Sequence, residues 1–302
     1  MKRNTAKRTL EKLLSVCICL CMLGAMLPAQ VFAEEADTAQ TEIVQDTAPK
    51  DTVYLSSADD LIQLAKNCRL DSWSQNRTVV LEADINLSGV DFNGIPSFGG
   101  TWEGQNHAIT GLSLSQDGSV QGLFRYVQQG ALVRDMTVKG RIKPGGTRAS
   151  VGGIAGSNAG TIENCAFDGV VSGTSQIGGI AGVNTVRGSI NGCTVSGTVY
   201  GSHFVGGVVG QNDGVAANCT NAASVNTTVS QNEVKLNDLT LDDVLKTEKA
   251  NDVTDAGGIA GNNAGVLRAC INRGTIGYSH IGYNVGGIAG SPTGPVEGRV
   301  EY

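Results

Sequence analysis

The chain has 302 residues, 22 of them basic and 28 acidic, with 42 glycines and only 5% aromatic residues. Residues 1–33 hold five of the basic residues and one of the acidic ones, which leaves 17 against 27, a net −10, for the rest. A surface of that sign repels phosphate backbones and argues against a nucleic-acid partner.

Chain order begins with a targeting segment. Lys2, Arg3, Lys7, Arg8 and Lys12 precede an apolar stretch, Leu13 to Leu27, that is short for a membrane span. Val31-Phe32-Ala33 then offers small residues at the −3 and −1 positions, so a signal peptide over 1–33, cleaved after Ala33, is expected. Acylation at Cys17, Cys19 or Cys21 is the alternative; Val16, Ile18 and Leu20 stand where that chemistry wants a small residue. No later apolar run is long enough to cross a bilayer, which predicts a secreted or surface-held protein with no integral membrane contact. Residues 34–52, rich in Thr, Ala and acid, read as a disordered linker.

Residues 53–77 read as an end cap. Ser57 suits an N-cap, Asp59 and Asp60 the positive end of a helix dipole, and Leu61, Leu64, Ala65 and Cys68 one apolar helix face. Beyond it, Thr78 to Leu87, His107 to Leu114 and Ala131 to Val138 read as strands.

From residue 152 one word recurs: Gly152-Gly153-Ile154-Ala155-Gly156, then its counterparts beginning at Gly178, Gly206, Gly257 and Gly286. A repeat of this length cannot bury its apolar face alone, so copies must stack. Ile154, Ile180, Val208, Ile259 and Ile288 are expected at the centre of a first strand. Asn158, Asn184, Asn212 and Asn263 are expected in the following turn, and a second strand reaches Cys165, Cys193, Cys219 and Cys270. A third strand centres on Val171, Val199, Val225 and Ile276. Three strands per repeat predict an all-β fold, a parallel β-helix (solenoid) of about seven coils over 78–302 with an N-terminal capping helix. A propeller would need longer, four-stranded repeats. In this stack the isoleucines, asparagines and cysteines form ladders, and Pro292 interrupts the asparagine column. Cysteines at one repeat phase sit poorly for bridging and do not converge as metal ligands, which favours buried thiols; disulfides remain the alternative.

The Gly-Gly words, together with Gly122-Leu123-Phe124-Arg125-Tyr126-Val127, resemble the bacterial repeat family carrying the GLUG motif, found in large exported and surface proteins. Leu81 to Leu87 and Gly100 to His107 are similar to the lead-in coils that precede such arrays. The resemblance covers residues 53–302 and implies a right-handed β-helix-like fold and service as an adhesin or stalk. It implies no cofactor. No His-Glu-x-x-His word accompanies it, and the histidines are His107, His203 and His280. The chain stops at Tyr302 inside a repeat, which predicts a downstream domain or partner chain.

Three functional readings follow. Catalysis on a polysaccharide needs converging carboxylates, and Glu163, Asp168, Arg187 and Asp213 hold different repeat phases, so no catalytic residue is assigned. Binding of a glycan or a host or cell-surface protein has candidates in Tyr200, His203 and Phe204 and in Tyr278, His280 and Tyr283, all on connections leading into a Gly-Gly word. The insertion 227–256, with an amphipathic stretch from Leu236 to Lys249, lies between them on the same edge. The alternative to binding, ahead of catalysis, is an inert stalk or the N-terminal fragment of a larger surface protein, in which these aromatics only shield the seam between coils.

Overall fold

The structure, a computed structural model, describes residues 51–146, 148–227, 254–277 and 284–300. Among them the fold is all-β with a single helix, and the strands stack in parallel as a β-solenoid of about eight turns. The expected signal peptide, nearly all of the expected linker and most of the insertion lie outside the described residues.

One coil shows the plan. Ser175–Gly178, Ala181–Asn184, Ser189–Asn191 and Thr194–Tyr200 follow one another as an entry strand, an asparagine strand, a short strand and a long strand. The coil therefore has four strands where the sequence suggests three. The difference lies in the Gly-Gly-Ile word, which forms a corner between two strands and not the centre of one. Two glycines without side chains turn tightly here, and the isoleucine behind them points into the core.

Stacking at that corner is direct. Ile154 N donates to Ile180 O at 2.9 Å, Ile180 N to Val208 O at 2.8 Å, Val208 N to Ile259 O at 3.0 Å and Ile259 N to Ile288 O at 2.8 Å. The first four side chains are fully buried, each worth roughly 1.5–3 kcal/mol of hydrophobic transfer. A Cβ on Gly153 would lie 2.2 Å from Gly179 O, so only glycine lets adjacent coils approach this closely. Phe124 pairs with Ala155, which places Leu123 directly on the isoleucine column and makes the 122–127 word the first of the series.

The strand limits also differ from expectation. Thr78 to Leu87 is two strands, Thr78–Leu81 and Ile85–Asn86, and Ala131 to Val138 contains Leu132–Arg134 and the start of Thr137–Ile142. The break in the second case is Asp135, whose φ of 56° turns the chain between the short and long strands. The asparagines end their strands and do not sit in the following turn. Short and long stacks merge into one sheet because Val266–Asn272 runs unbroken through both.

The first coil begins earlier than the sequence suggests. Val53–Leu55 pairs with Thr78–Leu81, so the segment read as a cap already contributes a strand. Its helix, Ala58–Asn67, starts at Ser57 with a reciprocal capping box: Asp60 N donates to Ser57 Oγ at 3.2 Å and Ser57 N to Asp60 Oδ2 at 3.0 Å. Leu61 and Leu64 seal the core from this side, next to an edge-to-face cluster of Phe98, Trp102 and Phe124. At the far end the last described coil is open. Val285 and Val296 are 42% and 41% exposed, and Ile288 is only half-buried.

Candidate functional site

The connection from long strand to entry strand is the variable corner of the coil. It takes two residues between Ser172 and Ser175 and between Tyr200 and His203. One level further it carries the whole insertion, between Val225 and Thr254, and the following level carries the chain between Ile276 and Val285. The Gly-Gly corner, by contrast, takes two residues in every repeat copy. The fold thus gathers its extra chain at one edge.

Tyr200, His203 and Phe204 all lie on that edge, half-buried. Tyr200 closes its long strand opposite Ser172, and His203 opens the entry strand between Ser175 and Thr254. Phe204 sits at φ 52°, in the left-handed region, above Gln176 at 58° and beside Asp255 at 58°. The entry strands at Ser150, Gln176, Phe204 and Asp255 each hold one such residue, at roughly 1–2 kcal/mol of backbone strain. The third glycine of each Gly-Gly word makes the bulge affordable: a Cβ on Gly261 would strike the carbonyl carbon of Phe204. Tyr278, His280 and Tyr283 lie outside the described residues, but their flanks share the edge. Gly277 N donates to Val225 O at 2.8 Å, and Asn284 Nδ2 donates to Asp255 Oδ1 at 2.6 Å.

The root of the insertion is clamped. Asn226 Oδ1 accepts from Gly201 N at 2.9 Å, and Asn226 Nδ2 donates to Gly201 O at 3.1 Å, so one amide holds both backbone groups of the neighbouring connection. Asn226 belongs to none of the repeated ladder positions, although its place just after the third-strand Val225 is a usable signal. Beside the edge a polar chain runs from Ser150 Oγ to Gln176 Oε1 (2.7 Å), Gln176 Nε2 to Gln211 Oε1 (2.6 Å) and Gln211 Nε2 to Asp213 (3.1 Å).

Elsewhere the ladder residues do structural work. Asn158, Asn184, Asn212 and Asn263 are fully buried and joined Nδ2 to Oδ1 at 2.7–2.8 Å. A second ladder, Asn221 to Asn272 at 2.8 Å, occupies a core position that Phe167 and Val195 fill in earlier coils. Its signal was the Cys-x-Asn spacing of the last two cysteines. There the amide bonds its own chain two residues on, Ala223 N to Asn221 Oδ1 at 2.9 Å, and breaks the long strand into Thr220–Asn221 and Ser224–Val225. Cys165, Cys193, Cys219 and Cys270 form a buried column of free thiols. Burial pushes Cys165 up to about 12. The Cys219 thiol is raised mainly by its hydrogen bond with Cys193, and that of Cys270 by its bond with Cys219 and by burial.

The charged residues are engaged separately. Glu163 Oε1 accepts from Asn191, Asp168 takes Ser196 Oγ at 2.9 Å and faces Lys139 at 3.6 Å, and Asp213 takes Gln211. The best ion pair, Arg134 on Glu103 with bonds of 2.7 and 2.8 Å, joins successive short strands. Among the described residues no group of three or more His, Cys, Asp or Glu could hold a metal ion, and no helix is long and apolar enough to cross a membrane.

The fold defines a β-solenoid repeat protein. The chain is similar to halomucin of Haloquadratum walsbyi, 29% identical over 167 residues, a stretch that covers 51% of this chain and 2% of that protein. The chain thus spans a small fraction of the relative it matches. No family model and no solved structure matches it.

Proposed function

We propose that this chain is an exported, non-catalytic repeat module that presents its variable edge to a glycan or a cell-surface protein. The observation that carries the reading is the concentration of extra chain at one corner, with Tyr200, His203 and Phe204 beside the clamped root of the insertion. A scaffold that holds every other corner to a short turn and lengthens this one is built to carry loops. The resemblance to GLUG repeats and the partial likeness to halomucin support an extracellular setting. Aromatic side chains with polar tips supply stacking area and orientation for a sugar ring or a protein anchor.

Half-burial of all three side chains favours a second reading, in which they seal the seam and the array is a stalk. A glycan array and a cell-surface binding screen, run on the full chain and on a Tyr200→Ala/His203→Ala variant, separate the two. The binding reading predicts a ligand whose capture falls at least tenfold in the variant while the melting temperature holds. Capture equal in both chains rejects this edge, and turnover of a polysaccharide in the same wells rejects the non-catalytic reading.

A further inference from the structure

The outer face of one long strand concentrates positive charge. After residue 33 the chain has 17 basic residues against 27 acidic ones, yet Lys139, Arg141, Lys143 and Arg148 fall together, with no Asp or Glu between Asp135 and Glu163. In Thr137–Ile142 the side chains of Val138 and Ile142 are buried, so Lys139 and Arg141 alternate onto the outer face. Lys143 continues the series just past the strand. All three are exposed, and their backbone positions recur about every 6.6 Å along one line. The strand is paired on both sides, with Ala108–Leu114 and with Ala166–Ser172, which holds that spacing fixed.

Most of this charge is unpaired. Lys139 faces Asp168 at 3.6 Å, but among the described residues no carboxylate forms an ion pair with Arg141, Lys143 or Arg148. Arg141 has Ser113 and Val170 as its strand neighbours, and Asp117, which lies against Gly145, is the other acid near the strip. The strip also runs into the candidate edge. Ile142 pairs with Val171 and Ser172 with Tyr200, so Lys143, Ser172 and Tyr200 follow one another on successive coils. Strand spacing sets the backbones of Lys143 and Tyr200 about 10 Å apart, a span that a short oligosaccharide covers.

We infer that the ligand of this edge is an acidic polysaccharide, whose carboxylate or sulfate groups meet Arg141 and Lys143 while a sugar ring lies on Tyr200. The inference rests on the binding reading given above. Guanidinium and ammonium groups hold such anions by charge-assisted hydrogen bonds. Duplex DNA, with a charge per about 1.7 Å of axis, is far denser in charge than this strip. The net −10 of the chain beyond residue 33 opposes so dense a polyanion more than a sparse one. Titration of the full chain with polygalacturonate, heparin, dextran and duplex DNA, at low and raised salt, tests it, with circular dichroism confirming that each variant is folded. Polygalacturonate or heparin should bind, more weakly in raised salt, and dextran should not; which of the two binds separates carboxylate from sulfate. Arg141→Ala/Lys143→Ala should weaken that binding about tenfold or more. Arg187→Ala, which removes an exposed cation from another corner, should leave it nearly unchanged. If the double variant fails to fold, Arg141→Gln and Lys143→Gln, tested singly, should each weaken binding several-fold. Neither acidic polymer bound, DNA bound more tightly than both, or a loss no greater than that of Arg187→Ala overturns the inference. Capture of a neutral glycan or a protein that depends on Tyr200 and His203 but not on Arg141 and Lys143 also overturns it, and leaves the broader binding reading standing.

Discussion

Asn184 donates from Nδ2 to Oδ1 of Asn212 at 2.8 Å while its own Oδ1 accepts from Asn158 at the same distance, so each amide in the column serves the coil on either side. All three are fully buried. Replacing Asn184 with Ala leaves Asn212 Oδ1 without its donor in a place water does not reach. The expected loss is roughly 1–3 kcal/mol for that group alone. Asn263→Ala should cost less, because Pro292 occupies the next level and the chain of amides already ends there. Urea unfolding of the two variants measures the difference, and equal losses would argue against a cooperative column.

Gly179→Ala should be worse than its size suggests. The new methyl would lie 2.3 Å from Val195 Cγ1 and 2.4 Å from Gly207 O, pressing on the next coil's backbone. A cost at or above the upper end of the roughly 1–3 kcal/mol typical of overpacking is expected. Gly130→Ala is the control: its φ of 80° strains an alanine by about 1–2 kcal/mol, but nothing lies within 4 Å. Thermal melts of both chains check the order.

The cysteine column should resist thiol reagents in the folded protein. With Cys165 pushed up to about 12 and Cys68 up to about 11, the thiolate that reacts is scarce near neutrality. Colorimetric titration with an aromatic disulfide should therefore be slow for the native chain and rapid in denaturant. Rapid native reaction would place these thiols outside the core.

The cap helix should weaken in acid through one carboxylate. Hydrogen bonds from the Ser57 side chain first, and from the Ser56 backbone next, hold the Asp60 carboxyl below its ordinary value. A depressed folded-state value means the contribution is present above the unfolded-state value, near 3.8, and is lost as pH falls through the folded one. Ser57→Ala removes the leading cause and the N-cap together, costing about 1 kcal/mol near neutrality. The variant's stability should also fall less steeply below pH 4, as a pH series of chemical denaturation would show.

The legible part of the fold was the part written in repeat phase. Ile154, Ile180 and Val208 occur at one phase of the Gly-Gly word, and they do meet along one axis. The corner they occupy was harder to see, because an apolar residue after two glycines has the same signature in a strand as at a bend. Phe204 shows the same limit: its left-handed backbone is decided by neighbouring coils, and a phenylalanine does not announce it. Of the candidate edge, the placement of Tyr200, His203 and Phe204 before a Gly-Gly word was readable, but their half-burial was not. The Asn226 clamp on Gly201 joins residues 25 apart and belongs to no repeated word.

By itself the sequence determined that this protein stacks. Glycines recurring at fixed intervals, each followed by one apolar residue, leave a chain no way to bury that residue except against its own copies. Only the tertiary structure decided how many strands each turn has, where the amides close their column, and which corner carries the extra chain. Those outcomes depend on contacts across whole coils, where a backbone carbonyl a few ångströms away settles whether a glycine bends or extends.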